Sequence, residues 1–335
     1  MLLAKVLSGV GYYTAITGKW HLGLRPEVGP RRYGFDSSYG YLHGQLDQYT
    51  HIYKNGDRTW HRDEKFIDEK GHATDLITDE AVRVIERKSD QPFFLYVAYS
   101  VPHFPLQESN QWTSLYDGRI DDPDRKKFAA SLTHMDAGIG RIVKALEQSG
   151  KRNNTLLIYT SDNGGQKEYY SRTDYNGGKH SPNKVLGNNR PLRGWKGDLY
   201  EGGIRVPALV NWPEKLAPSV INQTVSVLDW YPTIAAYAGV KIQREWKLEG
   251  RNIRPLLEKS WLPELLQRTL YWKTSRNYAL LNGSWKLIEH RGKESRFELF
   301  NLTKDPYEKT DLAVKHPEKL KNLERLLAQQ KKLDQ

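Results

Sequence analysis

The stretch TLLIYTSDNGG at residues 155–165 joins a run of β-branched, leucine and aromatic residues directly to an acidic, glycine-containing turn. Its first half has the composition of a buried β-strand. The same arrangement occurs twice earlier in the chain. A strand pattern at 12–17 leads into GKWHLG at 18–23, and another at 93–99 leads into VPHFP at 101–105. Polar side chains capable of chemistry therefore follow three predicted strands.

Helical patterns separate these strands. Residues 74–88 carry apolar side chains at helical spacing, and Pro123 opens a longer apolar stripe that Gly150 closes. This alternation predicts an α/β fold, in which a mostly parallel sheet is flanked by helices. In such sheets, functional residues collect at the carboxyl ends of the strands. We therefore expect the polar residues after the three strands to lie along one rim.

The pattern changes outside this core. Residues 24–70 are polar, aromatic and glycine-containing, which predicts a long surface insertion. Beyond residue 240, three short strand patterns and a charged C-terminal helix predict a small antiparallel α+β subdomain. We expect a main domain at 1–240 and this subdomain at 241–335.

The composition excludes several classes of protein. Hydrophobic residues make up 38% of the 335 residues, so a packed core is expected. The absence of cysteine excludes disulfides and thiolate metal sites. No apolar run is long enough to span a membrane. The net charge of +11 fits either a solvated basic surface or an anionic partner, which could be nucleic acid or a sulfated or phosphorylated substrate. The basic residues are interleaved with 20 tyrosines and 10 tryptophans, which suits an anionic sugar as well as single-stranded nucleic acid. No zinc-finger or RNP pattern occurs, so we expect no nucleic acid partner.

Taken singly, the polar motifs are ambiguous. Asp162 and Asn163 offer the oxygen ligands that Ca²⁺ or Mg²⁺ prefers, but a strand-end Asp-Asn-Gly-Gly is more often a turn. Lys19 can neutralise a tetrahedral anion and His21 can donate a proton to it, or both can be ordinary surface residues. A lone loop histidine such as His103 is more often structural than catalytic. The glycine-rich basic stretch around Lys196 fits an anion site or an ordinary loop equally well.

In their order along the chain, these pieces resemble the successive signatures of the sulfatase family, whose fold is similar to alkaline phosphatase. The matching stretches are GKWHLG at 18–23, PH at 102–103, SDNGG at 161–165, RGWK at 193–196 and EGGIRVP at 201–207. YGFD at 33–36 and NNRPLRG at 188–194 look most like the arylsulfatase B (N-acetylgalactosamine-4-sulfatase) branch. The resemblance covers essentially the whole chain.

The resemblance implies a sulfuric ester hydrolase that removes sulfate from a sulfated carbohydrate or an aryl sulfate. The catalytic residues that it implies are Lys19, His21, His103 and Lys196. Lys19 and His21 would contact the nucleophile and the sulfate. His103 and Lys196 would bind sulfate oxygens, and His103 would donate a proton to the leaving group. Asp162 and Asn163 would form half of a Ca²⁺ site. Such a protein would be periplasmic, secreted or lysosomal.

Two parts of the family's site are missing from this sequence. The family's nucleophile is a formylglycine made from the first residue of a Cys/Ser-x-Pro/Ala-x-Arg motif, and the chain contains no version of that motif. The Asp-Asp pair that supplies two further Ca²⁺ ligands does not precede Lys19 either. We therefore expect an N-terminally truncated form of a longer protein, inactive by itself. The absent piece would supply a central strand, and its loss would expose two sheet edges.

Two other functions stay open at this point. One is a phosphatase or phosphodiesterase of the same superfamily, whose sites usually hold two metals and more histidine and aspartate ligands. The other is a non-catalytic protein that binds sulfated glycans through the same anion pocket.

Overall fold

The computed structural model describes residues 2–167, 169–170, 184–185, 187–259, 261–265 and 267–334. Its largest sheet contains β1 (Tyr13–Lys19), β2 (Ser37–Tyr41), β3 (Trp60–Arg62), β4 (Lys65–Phe66) and β5 (Phe93–Ala98). The spatial order is β4-β3-β2-β1-β5. β2 and β5 run parallel to β1 on either side of it, and β3 and β4 extend the sheet in antiparallel fashion. The predicted α/β architecture is confirmed.

β1 is buried from Thr14 to Gly18, as expected for a strand with parallel neighbours on both sides. At its carboxyl end, three backbones approach too closely for side chains. A Cβ on Gly18 would lie 2.0 Å from the carbonyl oxygen of Ala98, and one on Gly40 would lie 2.3 Å from the carbonyl oxygen of Gly18. Both glycines also have positive φ angles, of 106° and 131°, which other residues rarely adopt. This glycine seam fixes the point at which Lys19 leaves the sheet.

Residues 24–70 do not form a surface insertion, and the prediction from their composition is wrong. They supply β2, β3 and β4. The side chains there that are at most 3% exposed include Tyr39, Tyr41, Leu46 and Trp60. Most of them pack with Ile77 in one core cluster. The physical reason is that this part of the core is aromatic and that several of its polar atoms are hydrogen-bonded internally. Trp60 Nε1, for example, donates to Glu69 at 2.8 Å.

The helices are α1 (Leu3–Ser8), α2 (Ala73–Ile85), α3 (Asn110–Thr113), α4 (Pro123–Gln148), α5 (Glu201–Ile204), α6 (Trp230–Tyr237), α7 (Arg254–Lys259) and α8 (Pro317–Leu333). Side chains cap the two helices that cover the sheet. The His72 ring accepts from the Thr74 N–H at the start of α2, and the Asp122 carboxylate accepts from the Arg125 N–H at the start of α4. Both helices therefore begin where polar capping residues follow a loop.

Two short strand pairs stand apart from the large sheet. They are β6 (Leu157–Thr160) with β9 (Ala208–Asn211), and β7 (Tyr169–Tyr170) with β8 (Lys184–Val185). The helices α2 and α4 pack against both β5 and β6, because Leu95 and Leu157 contact the same cluster of buried residues on these helices. Within the described residues, however, β5 pairs only with β1, and β6 only with β9. Tyr96 on β5 is 51% exposed and Leu209 on β9 is 55% exposed. As far as the described residues go, each of these two sheets therefore has an unpaired edge.

The C-terminal part contains an antiparallel sheet of β10 (Thr269–Lys273), β11 (Asn277–Asn282), β12 (Trp285–His290) and β13 (Arg296–Asn301), in that order. Leu323 and Leu327 of α8 pack against its leucines. The sequence predicted three of these strands. β13 was hidden because Glu298 interrupts its apolar pattern, although Tyr200 and His290 bond this carboxylate inside the structure. Among the residues that the structure describes, none of the helices has the length and apolar character needed to cross a membrane.

Candidate active site

Lys19 lies at the carboxyl end of β1, directly beyond the glycine seam. Burial lowers the pKa of its ammonium group, the Asp162 carboxylate opposes that shift, and Lys196 adds to it. Charges act this way only over short distances in a partly buried site. The structure therefore brings together three residues that are far apart in sequence: Lys19, Asp162 and Lys196.

His21 continues the chain alongside β2. Its N–H donates to the Leu42 carbonyl at 3.0 Å, and its φ angle is +58°. The imidazole ring lies against Gly44, where a Cβ would be 2.7 Å from His21 Nε2. Burial lowers the pKa of His21, and Lys19 and Lys196 lower it further. The neutral imidazole is thus favoured beside two ammonium groups.

His103 follows β5 in a loop between two prolines. Burial lowers its pKa to about 4, and the charges of Lys196 and Lys19 act in the same direction. Its Nδ1 lies 2.8 Å from the Phe104 carbonyl oxygen. Because a carbonyl oxygen can only accept, Nδ1 carries the proton and Nε2 is the nitrogen left for a ligand. Lys19, His21, His103 and Lys196 are called the cation cluster below.

The acidic turn after β6 is interlocked with the loop that carries Lys196. The Lys196 N–H donates to the Gly165 carbonyl at 3.1 Å, and the Gly164 N–H donates to the Gly203 carbonyl at 3.0 Å. A Cβ on Gly164 would lie 1.8 Å from the Gly202 carbonyl oxygen. Only glycine permits this approach, so the Asp-Asn-Gly-Gly sequence is more than a simple surface turn.

Asp162 and Asn163 meet one requirement of a Ca²⁺ site and not the other. Their oxygens are the right donors, and Asn163 leaves its Oδ1 available because its amide nitrogen donates to the Gly164 carbonyl. Ca²⁺ takes about six to eight oxygen ligands, however. Two side chains are too few to hold the ion by themselves.

Sequence reasoning missed other residues at this rim. The charge of Asp162 contributes to raising the pKa of both Tyr41 and Tyr96, after burial, which is the larger cause. His43 is 7% exposed, and its pKa is lowered by burial with a contribution from His21. Tyr41 and His43 lie at the end of β2, within the stretch interpreted as an insertion. Recognising Ser37–Tyr41 as a strand would have placed both at the rim.

A second group of titratable residues could hold a metal ion: His72, Asp75 and His134. Its nitrogens already have partners. His134 Nδ1 lies 2.9 Å from Glu108 and Nε2 lies 3.1 Å from Asp75, while His72 Nε2 lies 2.9 Å from the Gln107 carbonyl. None of these groups is among the charges that shift the pKa of Lys19, His21 or His103. We therefore regard the group as a partly buried ionic network that joins α2 to α4.

The geometry agrees with comparisons to known proteins. Residues 1–240 match the family model described as Sulfatase, and residues 194–334 match the one described as N-sulphoglucosamine sulphohydrolase, C-terminal. The chain belongs to the sulfatase family. The expected resemblance is thereby confirmed, and it covers both the cation cluster and the C-terminal sheet.

Individual relatives of this chain also belong to that family. Mouse arylsulfatase J is 30% identical over 98% of this chain and 61% of its own length. Mouse N-acetylgalactosamine-6-sulfatase is 29% identical over 85% of this chain and 54% of its own length. The crystal structure of Ps i-CgsB in complex with k-i-k-neocarrahexaose superposes with a TM-score of 0.83 at 31% identity, covering 98% of this chain and 73% of that one. The chain thus spans about half to three quarters of the length of these relatives.

Proposed function

We propose that this chain is the sulfate-binding part of a sulfuric ester hydrolase that acts on a sulfated carbohydrate. One observation carries the proposal: the cation cluster converges with Asp162 on one rim, although its members lie up to about 180 residues apart in the sequence. A sulfate ester presents several partly negative oxygens around one sulfur. Two ammonium groups and two imidazoles at one rim match that charge distribution.

The role of each residue in this proposal follows from its chemical groups. Lys19 and Lys196 neutralise sulfate oxygens and the charge that develops on the leaving oxygen. His103 holds its remaining nitrogen, Nε2, toward the ligand. An anionic sulfate beside this ring opposes the effect of burial and raises the His103 pKa. Binding of the substrate therefore favours protonation of the His103 ring, and the ring then donates this proton to the leaving oxygen.

The nucleophile and the metal ion are also part of the proposal. Asp162 and Asn163 would supply two ligands of a Ca²⁺ site, and the remaining ligands and a formylglycine would come from residues outside this sequence. Formylglycine would provide the attacking oxygen, and Ca²⁺ would neutralise negative charge beside it. We expect the 335-residue chain by itself to bind sulfated ligands and not to turn them over.

The substrate class is argued from the relatives and from the rim. The Ps i-CgsB structure is described in complex with k-i-k-neocarrahexaose, and another relative is named N-acetylgalactosamine-6-sulfatase. Tyr96 on β5 is 51% exposed and close enough to Asp162 to feel its charge, and exposed aromatic rings are suited to the apolar faces of sugars. We propose that the whole protein acts in the periplasm, outside the cell or in a lysosome.

Isothermal titration calorimetry tests the proposal on the chain as it exists. A sulfated neocarrageenan hexasaccharide should bind, and the same oligosaccharide after chemical desulfation should not. Lys19→Ala and Lys196→Ala should each weaken binding. Lys273→Ala should have no effect, because it removes an exposed ammonium on β10 that is paired with Asp334. Equal affinity for both oligosaccharides would contradict a sulfate-specific site.

A further inference from the structure

Lys286 on β12 is a buried lysine at the centre of an ion cluster. Its side chain is 0% exposed, and its Nζ lies 2.9 Å from Glu201 Oε1 and 2.8 Å from Glu308 Oε1. The Glu201 N–H donates to the other oxygen of Glu308 at 2.7 Å. The three charged groups therefore form one hydrogen-bonded unit between the C-terminal sheet and α5.

This unit is not required to fill the core. Burying an ammonium and two carboxylates carries a desolvation penalty of several kcal/mol for each ion, and well-packed apolar side chains often replace such clusters without loss of stability. The neighbours of Lys286 along β12, Leu287 and Ile288, show that the strand otherwise buries apolar groups. The charges restrict the geometry instead, because an ammonium that hydrogen-bonds to Glu201 and forms an ion pair with Glu308 restrains the two carboxylates relative to each other.

A short series of contacts leads from Lys286 to the site. Glu201 is the first residue of α5, and the next two residues are Gly202 and Gly203. These glycines are the ones that interlock with Gly164, through the Gly203 carbonyl and the close approach of the Gly202 carbonyl. Gly164 directly follows Asp162 and Asn163.

A second series reaches Lys196. The Gly202 N–H donates to the Arg193 carbonyl at 2.6 Å, three residues before Lys196. The Arg193 guanidinium in turn donates to the backbone carbonyl of Glu308 at 2.9 Å. Both the acidic turn and the Lys196 loop are therefore connected to the Lys286 cluster through α5.

We propose that Lys286 is a positioning residue for the sulfate site: its ion pairs with Glu201 and Glu308 hold α5 so that Lys196 stays in register with Asp162 and Asn163. The inference rests on the proposed function, since it takes these three residues as part of the site. It makes the geometry of the site dependent on a strand of the C-terminal sheet, although the Lys286 side chain is fully buried and contributes no group to the site.

Hydrogen exchange measured by mass spectrometry tests this on the whole chain. In Lys286→Met, segments 161–167 and 193–203 should exchange on the order of tenfold faster, because their interlocking hydrogen bonds open locally. The segment at 13–19 in the large sheet should exchange at the wild-type rate. Lys273→Met, which removes an exposed lysine from the same C-terminal sheet, should leave every segment unchanged.

Two further measurements separate positioning from simple core filling. Glu201→Gln keeps the Lys286–Glu308 pair intact and should still speed exchange at 161–167 and 193–203. With 5-fluorotryptophan incorporated and the Trp195 signal assigned by Trp195→Phe, the ¹⁹F resonance of Trp195 should shift or broaden in Lys286→Met and Glu201→Gln, but not in Lys273→Met.

The inference is overturned if Lys286→Met folds with exchange and the Trp195 resonance unchanged, or if all segments, including 13–19, speed up equally. If Lys286→Met does not fold, Glu201→Gln decides the matter by the same criteria. Failure of the calorimetric binding experiment would instead count against the proposed function, and the exchange result would stand independently of it.

Discussion

The backbone N–H of Lys196 donates a 3.1 Å hydrogen bond to the carbonyl oxygen of Gly165, two residues beyond Asn163. The bond joins the loop that carries a cation of the site to the turn that carries its acidic residue. Since the main chain makes the connection, the Lys196 side chain can be removed without dismantling the loop.

Lys196→Ala should therefore impair chemistry and spare folding. In a complete protein that includes the nucleophile, losing one preorganised donor to the developing anion should lower turnover of an aryl sulfate by ~100- to 1000-fold. The melting temperature should match that of the wild type, because an exposed loop lysine adds little to the core. Steady-state kinetics and a thermal melt provide the two readouts. Full activity in the variant would remove Lys196 from the site.

Gly164→Ala should disturb the interlocked turn. The added methyl group meets the Gly202 carbonyl oxygen, and relieving such a clash typically costs ~1 to 3 kcal/mol. Gly140→Ala is the matched control, since nothing lies within 4 Å of its Cβ position and alanine stabilises a helix interior by up to ~1 kcal/mol. Urea denaturation should show a lower midpoint for the first variant and an equal or higher one for the second.

The pKa of His103 should be low in the free chain and should rise when a sulfated ligand binds. Burial holds its pKa at about 4, below the value of 6.5 for an exposed histidine. The folded chain therefore binds fewer protons here than the unfolded chain, and this contribution to stability, complete above pH 6.5, is lost as the pH falls through 4. NMR titration should give a low His103 pKa that rises when a sulfated oligosaccharide binds. An unchanged pKa in the complex would argue against His103 as the proton donor.

His134 should show the reverse dependence. Burial opposes its protonation, but hydrogen bonds to Asp75 and Glu108 raise its pKa to about 9. The folded chain binds the proton more tightly than the unfolded one, so the stabilisation is complete below pH 6.5 and disappears as the pH rises through 9. His134→Gln should consequently lower the free energy of unfolding at pH 6 and have a smaller effect at pH 9.5. Equal losses at the two pH values would be inconsistent with this shift.

Ca²⁺ should bind weakly to this chain. Asp162 and Asn163 provide two protein ligands, and the ion requires several more. Calorimetry should detect no binding in the micromolar range, and adding a chelator should not change the melting temperature. Micromolar binding that is lost in Asp162→Ala would show that other residues of this chain complete the site.

Two strands of the main domain could be located from the sequence because each is a short run of apolar, aromatic and β-branched residues. Phe93–Ala98 and Leu157–Thr160 were located this way, within one or two residues of their ends. Ser37–Tyr41 was not, because serine and glycine hide its pattern. Its tyrosine rings are buried through tertiary contacts that the local sequence does not reveal.

In the candidate site, too, some features could be predicted from the sequence and others could not. Lys19, His21, His103 and the Asp162 turn could be placed at one rim because each follows a strand. The interlock of Gly164 with Gly202 depends on the close approach of two distant backbone segments, which no spacing rule describes. The ion cluster around Lys286 was missed for a similar reason: a lysine within a strand is normally expected on the solvent side.

The open edges of β5 and of the β6–β9 pair bear on how this chain behaves in concentrated solution. An uncovered strand with exposed apolar side chains, such as Tyr96 and Leu209, is a template on which a strand of another molecule can add. The net charge of +11 repels other copies at low salt, but at physiological ionic strength that repulsion is screened beyond ~8 Å. Salt, which helps many proteins to stay in solution, would therefore promote aggregation of this one.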